Sequence, residues 1–355
     1  FKKISMSIAA TYLQDIRVEY PSDLDQFELR RSTFGLVTAV LAMTKSAKSI
    51  VSPDLIKKAK TSNGLNLDIP VMKKGVVTIL NVRSCTIAGG NSNSDLIRVV
   101  WKTLRADIFM VPSQYDKNMI SYKHDLSKKI ADIVEAFLIN VETDLDTALN
   151  ANKNLVYNST MIGAGSDYTL AGSAIQVPVA KQQFFFNDIE PINFADDFGS
   201  TSIKILASPP VMGVVNLWGN QGAGNQMNSV FQFPGKDFTY SNRITNGAGK
   251  KATGYFMPDG SVGLITRIDP DARRGSKAGD GTEWMEETLP GLPWTVGIQY
   301  KSKCSDQSLL DAGLAHLTST LTENWQISFD FGIIMPYNSD TATKPGAIRK
   351  FEFVP

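Results

Sequence analysis

The longest run of regularly spaced apolar residues lies between positions 123 and 150. Leucine, isoleucine, valine and phenylalanine recur there at steps of three and four residues, while Lys128, Asp132 and Glu142 fall on the opposite side. This spacing is typical of a helix with one apolar face. At 1.5 Å per residue, a helix over Lys123–Asn150 would be about 42 Å long. We therefore predict a long spine helix, with an apolar stripe that needs a partner surface.

A strand-like pattern precedes this helix. Branched apolar residues cluster between positions 76 and 82, and apolar residues recur again from Leu96 to Val111. The segment Gly89–Asp95 between them is rich in glycine, asparagine and serine, so we predict a hairpin over 65–111. Its second arm could extend about 50 Å, whereas a typical strand has about six residues. A bulge or bend is therefore expected to divide this arm.

The second arm of the hairpin mixes basic and apolar side chains. Such an arm is only half suited to burial in its own chain, so it is expected to rest on another molecule. The same is expected of the spine helix, because both segments are too elongated for one compact chain. The residues predicted to contact a neighbouring subunit are Arg98, Trp101, Lys102 and Arg105.

Other elements follow from shorter signals. Ser52-Pro53-Asp54 predicts a helix start. A strand is predicted at Ile203–Leu206, followed by a helix from Pro210 that ends near Gly219. A further helix is predicted over Asp306–Thr322. The C-terminal region alternates apolar and polar residues, which predicts strands through Ile327, Phe329, Phe331 and Ile333 and through Phe351 and Phe353.

Length and cysteine usage favour an ordinary globular protein. A chain of 355 residues can bury a sizeable core without disulfides. The two cysteines, Cys85 and Cys304, form no CxxC motif, which argues against a disulfide framework or a zinc ribbon and fits a reducing compartment. The most apolar stretch, Leu36–Met43, is much shorter than the roughly 20 residues that a bilayer requires. We expect a soluble protein without a membrane partner.

Charge is unevenly distributed along the chain. Residues 1–122 contain 17 basic and 10 acidic side chains, whereas the remainder contains 19 basic and 25 acidic side chains. Neither part has the clustered basic charge of a tight nucleic-acid binder. Two interpretations stay open: a plain solvated surface, or complementary faces that attract one copy to the next.

Motifs for catalysis are scarce. The chain has no GxxxxGK[ST], GxSxG, HExxH or GxGxxG motif, and its only histidines are His124 and His316. We predict no catalytic, cofactor-binding or metal-binding residues and hence no enzyme. The densest acidic region spans residues 269–287. It is either a solvated loop neutralised by nearby basic residues or the site of a glycan-acting hydrolase or carbohydrate-binding protein.

The order of these elements resembles that of the major capsid protein of tailed bacteriophages, a fold shared with encapsulins. The most specific stretch is Arg83-Ser84-Cys85-Thr86-Ile87, then the strand through Trp101, then Met110-Val111-Pro112, Tyr115 and Ser121-Tyr122 before the helix. That stretch is similar to capsid proteins of the crAss-like phages. A smaller virion component, such as a tail-tube or decoration protein, is an alternative that a 28-residue helix fits poorly.

The resemblance implies an α+β capsid fold and a particular division of the chain. The expected parts are an N-terminal arm with one or two helices (1–62), an extended hairpin loop (63–118), a peripheral domain with the spine helix (119–165 and 323–355) and an α/β axial domain (166–322). The implied partners are copies of the chain in hexamers and pentamers, with scaffold, portal and decoration proteins. The implied location is a virion that encloses double-stranded DNA and is assembled in the host cytoplasm.

Overall fold

The computed structural model describes residues 34–62, 64, 66–72, 94–115, 121–199, 202–222, 235–275, 277–305, 320–338, 341 and 343–355. Within these ranges the chain forms six α-helices and thirteen β-strands in three sheets, so the predicted α+β class is confirmed. No helix in this part of the chain is both long and apolar enough to cross a membrane.

The helices are α1 (Gly35–Lys45), α2 (Pro53–Thr61), α3 (Tyr122–Ala151), α4 (Phe185–Ala195), α5 (Pro210–Gly222) and α6 (Pro270–Arg274). The strands are β1 (Asn66–Met72), β2 (Ser94–Val100), β3 (Lys102–Met110), β4 (Thr169–Ala171), β5 (Ala174–Val177), β6 (Ile203–Ala207), β7 (Lys236–Tyr240), β8 (Ala252–Pro258), β9 (Gly263–Arg267), β10 (Thr282–Glu287), β11 (Val296–Ser305), β12 (Thr320–Ile334) and β13 (Arg349–Phe353).

The predicted spine helix is confirmed as α3, which is 30 residues long. It begins one residue before the predicted Lys123, where the side chain of Ser121 accepts a hydrogen bond from the backbone N–H of His124 at 3.2 Å. Its apolar stripe is buried within the chain, from Leu126 at one end to Leu149 at the other. The expectation that this stripe needs other copies is therefore wrong for the helix.

One face of a five-stranded sheet covers the spine helix. The strand order is β10-β11-β12-β3, and β9 also pairs with β12. The predicted alternation along β12 is confirmed at Ile327, Phe329 and Phe331, which are buried with polar residues between them. It is wrong at Ile333, which is half-buried next to the buried Ile334. Phe329 meets Phe137 of α3 edge to face, with ring centroids 5.2 Å apart. Sheet and helix together form the largest core of the chain.

A six-stranded sheet with the order β4-β5-β13-β8-β6-β7 forms the second core. Helix α4 inserts Phe185 and Phe186 between the aromatic side chains of β13. The centroids of Phe185 and Phe351 lie 5.0 Å apart. Val211 of α5 packs into the same cluster.

The sheets divide the chain differently from the predicted boundaries. Strand β13 lies inside the six-stranded sheet between β5 and β8, although residues 323–355 were expected to accompany the spine helix. Strands β10 and β11 pair with β12 on the spine-helix sheet, although they lie within the predicted segment 166–322. Alternation reveals that a segment is a strand but not which distant strand it joins. The peripheral and axial assignments themselves stay predictions.

The predicted hairpin is present at its base. Strands β1 and β2 pair antiparallel, from Asn66 opposite Val100 to Met72 opposite Ser94. The predicted first arm at 76–82 and most of the predicted turn lie outside the described residues. The predicted bend in the second arm is confirmed at Trp101, where the chain leaves β2 and joins the five-stranded sheet as β3.

Helix α1 belongs to the largest core rather than to an arm that lies away from the body. Residues 1–33 of the predicted arm lie outside the described part of the chain. Glu142 was expected on the solvent side of the spine helix, but its side chain is 0% exposed. It accepts hydrogen bonds from the backbone N–H groups of Leu36 and Val37 and from the hydroxyl of Ser241. A buried carboxylate is tolerated there because it satisfies the N-terminus of α1.

The remaining predictions have mixed outcomes. Helix α2 begins as predicted, with Ser52 as its N-cap, and β6 and α5 agree with the predicted strand and helix. The helix predicted over Asp306–Thr322 is wrong at residues 320–322, which are part of β12, and residues 306–319 lie outside the described ranges. Helix α4, which contains Pro191, was not predicted.

Candidate assembly surface

The hairpin formed by β1 and β2 has two faces of opposite character. Side chains alternate along each strand, and directly paired residues share a face. The odd-numbered residues face the protein, and Leu67 and Val99 among them are buried. The even-numbered residues are all exposed, and we call them the outer face of the hairpin: Asn66, Asp68, Pro70, Met72, Ser94, Leu96, Arg98 and Val100.

The outer face is unusually apolar for a surface in contact with water. Met72, Leu96 and Val100 are 71%, 61% and 62% exposed, and Pro70 lies opposite Leu96. Several large apolar side chains on one small sheet mark an interaction site rather than ordinary surface. The outer face of the hairpin is therefore the candidate assembly surface.

The opposite face is fixed to the body of the chain. A third cluster of buried residues joins the hairpin base to α2, to β9 and to the end of β12. Gly332 of β12 makes this contact possible, because a Cβ atom there would lie 2.7 Å from Cγ1 of Val99. The hydroxyl of Tyr337 also donates a hydrogen bond to Asp95 at 2.9 Å. The outer face is thus presented on a supported base.

Three of the four predicted contact residues lie at the surface, and each has an acidic partner in the same chain. The pairs are Arg98 with Asp68 at 2.9 Å, Lys102 with Asp144 at 2.6 Å, and Arg105 with Asp107 at 2.9 Å. The Asp68 carboxylate raises the pKa of Arg98. Exposed ion pairs contribute little to stability, so these cations can exchange partners at little cost.

Trp101 is placed differently from the other three. It is only 9% exposed and belongs to the third cluster, where the guanidinium of Arg267 lies 4.4 Å from its ring centroid. Arg267 is held in turn by Asp330 at 2.8 Å. Trp101 is therefore a poor candidate for direct contact with a neighbour. Trp101 lies at the bend between two sheets, and this bend places its side chain against the body of the chain. The spacing of residues along one strand did not reveal that placement.

The sequence prediction missed the apolar part of the outer face. Pro70 and Met72 were not recognised because their strand was expected at 76–82. The signal was present in the second arm, where Leu96, Arg98 and Val100 alternate with Ile97 and Val99. Both sets contain large apolar residues, so the pattern alone did not identify the exposed one.

The acidic region 269–287 is occupied by structural contacts. Asp269 caps α6 by accepting a hydrogen bond from the N–H of Asp271. Lys301 pairs with Asp280 at 2.6 Å and, with hydrogen bonds from Thr282, lowers the pKa of Asp280 to about 2. Lys277 pairs with Glu283 at 2.6 Å. No observation on the described residues of this region favours the hydrolase alternative, which stays an untested prediction.

Comparison of the chain with known proteins identifies its class of fold. No protein-family model matches the chain, and no curated protein matches it. A solved structure from Mycobacterium phage Che8 matches with a TM-score of 0.53 at 8% sequence identity, over 93% of this chain and 94% of that chain. The capsid of Ralstonia phage GP4 matches with a TM-score of 0.50 at 9% identity, over 93% of each chain.

These likenesses concern the fold, because the sequence identities are low. The chain has the fold of phage capsid proteins, as its element order indicated. The narrower similarity to crAss-like phages stays a prediction.

Proposed function

We propose that the protein is the major capsid protein of a bacteriophage head. It is a structural subunit that assembles with copies of itself, as pentamers and hexamers, into an icosahedral shell around double-stranded DNA. The observation that carries the proposal is the outer face of the hairpin, an apolar surface exposed on a chain with the phage capsid fold.

Assembly explains why such a face is kept at the surface. Burying apolar area contributes about 25 cal/mol per Å². A neighbour that covers Met72, Leu96 and Val100 therefore stabilises the assembly by removing these side chains from water. Obligate interfaces in permanent assemblies commonly bury about 2,000 Å² or more. Contacts between two different surfaces of identical copies form closed rings when the rotation closes. A capsid subunit needs both a large interface with its neighbours and contacts that close into rings.

The proposal also covers the partners and the location. DNA is enclosed without sequence-specific contacts, in keeping with a net charge of only +1. The proposed location is the virion, with assembly in the host cytoplasm. Scaffold, portal and decoration proteins are proposed as further partners. A shell subunit requires no catalytic group, so the proposed function is structural rather than enzymatic.

A shortened hairpin tests the proposal. Residues 73–93 are replaced by Asn-Gly, which joins Met72 to Ser94 through a two-residue turn and keeps every pair of the described β1–β2 ladder. Wild type and variant are purified, and their particles are compared by negative-stain electron microscopy and sedimentation. We expect closed shells from the wild type, and a folded variant that forms at least tenfold fewer particles.

The control is a variant with the same Asn-Gly replacement for residues 306–319, which joins the paired ends of β11 and β12. It removes 14 residues, against 21 in the shortened hairpin, and leaves the hairpin unaltered. Wild-type protein that forms no shells or rings under any assembly condition would refute the proposed function. Full particle yield from the shortened hairpin would refute a role for residues 73–93 in assembly, whereas the outer face, which this variant retains, is tested by Leu96→Ser.

A further inference from the structure

The lysines of helix α2 differ from most other cations at the surface. Many exposed basic side chains form an ion pair within the chain, as Lys102 and Lys301 do. Lys57, Lys58 and Lys60 are exposed, and none of them has a carboxylate partner among the residues that the structure describes. A lysine without such a partner is available to an anion outside the chain.

Basic charge is concentrated in the segment that contains α1 and α2. Residues 35–64 contain five lysines and a single acidic residue, Asp54. Widening the segment to residues 30–67 adds two arginines and no acidic residue, so the excess does not depend on the limits chosen. All five lysines are exposed, and we call them the basic face: Lys45, Lys48, Lys57, Lys58 and Lys60.

The fold fixes the direction in which α2 presents its lysines. Leu55 and Ile56 pack against the third cluster of buried residues, and Ala59 is a member of that cluster. The side chain of Ser52 caps the first turn of the helix. The lysines of α2 are therefore held on the side of the helix that faces away from the body of the chain.

These lysines are not needed to end the helix. Basic side chains in the last turn commonly offset the negative end of the helix dipole, but at α2 two arginines already serve this purpose. Arg273 donates a hydrogen bond to the carbonyl oxygen of Lys60. Arg267 donates hydrogen bonds to the carbonyl oxygens of Ser62 and Gly64, at 2.9 and 2.7 Å. The lysines add positive charge beyond what the end of α2 requires.

Nearby acidic residues offset only part of this charge. Asp330 and Asp68 each form an ion pair with an arginine. The two acidic residues at the start of α6 are matched in number by the two arginines at its end. Asp259 accepts a hydrogen bond from Ser46 at 2.8 Å. Asp259 and Asp54 are thus left against five lysines.

The basic face has the chemistry of a surface for the phosphate backbone of DNA. Lysine presents a compact point charge that attracts phosphate whatever the base sequence. Helix α2 contains no aromatic residue on which a base could stack. A few phosphate contacts give weak, salt-dependent binding, which agrees with the absence of a strongly basic domain from this chain.

We propose that the basic face lines the interior of the shell and contacts the phosphate backbone of the enclosed DNA. This inference rests on the proposed function and names the surface of the subunit that faces the DNA. Each copy contributes a few weak contacts, and the repetition of the subunit around the shell multiplies them without strong binding by any one copy.

The first test measures DNA binding by the unassembled chain. Lys57→Gln, Lys58→Gln and Lys60→Gln are combined, and fluorescence anisotropy with double-stranded DNA of mixed sequence is recorded at several salt concentrations. We expect at least tenfold weaker binding at low salt. The slope of log K against log salt should fall by about 2–3, because each lost phosphate contact removes about 0.9.

The matched control removes the same charge elsewhere. It combines Lys251→Gln, Lys303→Gln and Lys344→Gln, at exposed lysines that also have no carboxylate partner among the described residues. We expect binding to change less than threefold. Equal losses from the two triple variants, or no loss from the α2 variant, would overturn the proposal. Retained DNA binding with loss of polyglutamate binding would assign the basic face to an acidic protein segment and would also overturn it.

The second test measures which side of the shell α2 faces. In a background with Cys85→Ser and Cys304→Ser, Lys57→Cys is treated with a small maleimide that passes between subunits, and with a maleimide on a polyethylene glycol chain too large to enter closed shells. We expect both reagents to label the unassembled chain, and only the small one to label intact shells. Labelling of intact shells by the large reagent would place α2 outside, and labelling by neither would place it between copies. Either result would overturn the interior placement.

The two tests separate this inference from the function on which it rests. Wild-type shells together with a contrary result in either test would overturn the role of the basic face and leave the capsid function intact. Absence of shells from the wild type would overturn the proposed function and the interior placement together.

Discussion

The spine helix and the hairpin are both elongated, but they differ in what covers them. The apolar stripe of α3 is buried along its length by the five-stranded sheet. The hairpin has one face on the body and leaves the other, with Met72, Leu96 and Val100, in solvent. Elongation alone is therefore no sign of assembly. The informative property is an apolar face that the chain itself does not cover.

This comparison separates stability from assembly. Substitutions around the spine helix should affect unfolding first, because its contacts lie within one chain. Substitutions on the outer face of the hairpin should affect particle formation and leave the isolated chain folded. The following variants test that separation.

The largest effect is expected at the contact between the spine helix and α1. Glu142→Ala leaves two backbone N–H groups and the Ser241 hydroxyl without their acceptor. Unpaired buried donors cost about 1–3 kcal/mol each, and partial access of water reduces the sum. We expect a loss of about 3 kcal/mol in the free energy of unfolding, measured by urea denaturation of the unassembled chain. A loss below about 0.5 kcal/mol would show that this anchor is dispensable.

Two neighbouring residues of β2 provide the sharpest comparison. Val99→Ser, on the buried face, should lower the free energy of unfolding by about 2 kcal/mol. Leu96→Ser, on the exposed face, should change it by less than about 0.5 kcal/mol but reduce particle yield strongly. Urea denaturation and sedimentation of the same preparations measure both effects. Equal destabilisation by the two variants would contradict the two-faced hairpin.

The pH dependence of Glu142 gives a smaller effect with a definite sign. Burial raises the pKa of this carboxyl above its ordinary value of 4.5, although its hydrogen bonds act in the opposite direction. The folded state therefore binds the proton more tightly than the unfolded state does. The stability of the wild type relative to Glu142→Gln should increase as pH falls from 8 through the raised pKa towards 4.5. A difference that is independent of pH over this interval would contradict the raised pKa.

The smallest effect is expected from the exposed pair of Lys102 and Asp144. A double-mutant cycle with Lys102→Ala and Asp144→Ala should give a coupling free energy of about 0.5 kcal/mol. Raising the salt to about 1 M shortens the Debye length to about 3 Å and should reduce the coupling further. A coupling above about 2 kcal/mol would mean that the pair fixes β3 to the spine helix, so that Lys102 is not available to a neighbour.

The sequence prediction was most successful where the pattern was local and long. The periodicity of residues 123–150 was sufficient for the spine helix, and the alternation after Trp325 was sufficient for the buried face of β12. A bulge or bend in the second arm was expected from strand length alone, but its position at Trp101 came from the structure. These features depend on residues within a few positions of each other, so a single sequence contains the necessary information.

The candidate site was predicted less completely. Arg98, Lys102 and Arg105 are exposed, and their contact with a neighbour stays a prediction. Trp101 is buried, and the apolar residues Pro70 and Met72 were missed. Both errors concern the side of a strand that the body covers. That side depends on α2, β9 and Gly332 of β12, which are distant in sequence from the hairpin.

The spine helix, the starts of α2 and α5 and the strands β6, β12 and β13 were predictable from the chain itself, because hydrogen bonding and side-chain alternation repeat over short distances. The strand that joins each sheet, the burial of Glu142 against a helix 106 positions earlier and the exposure of one hairpin face followed only from the folded arrangement. Those features are set by contacts between distant segments, and neighbouring residues carry no record of them.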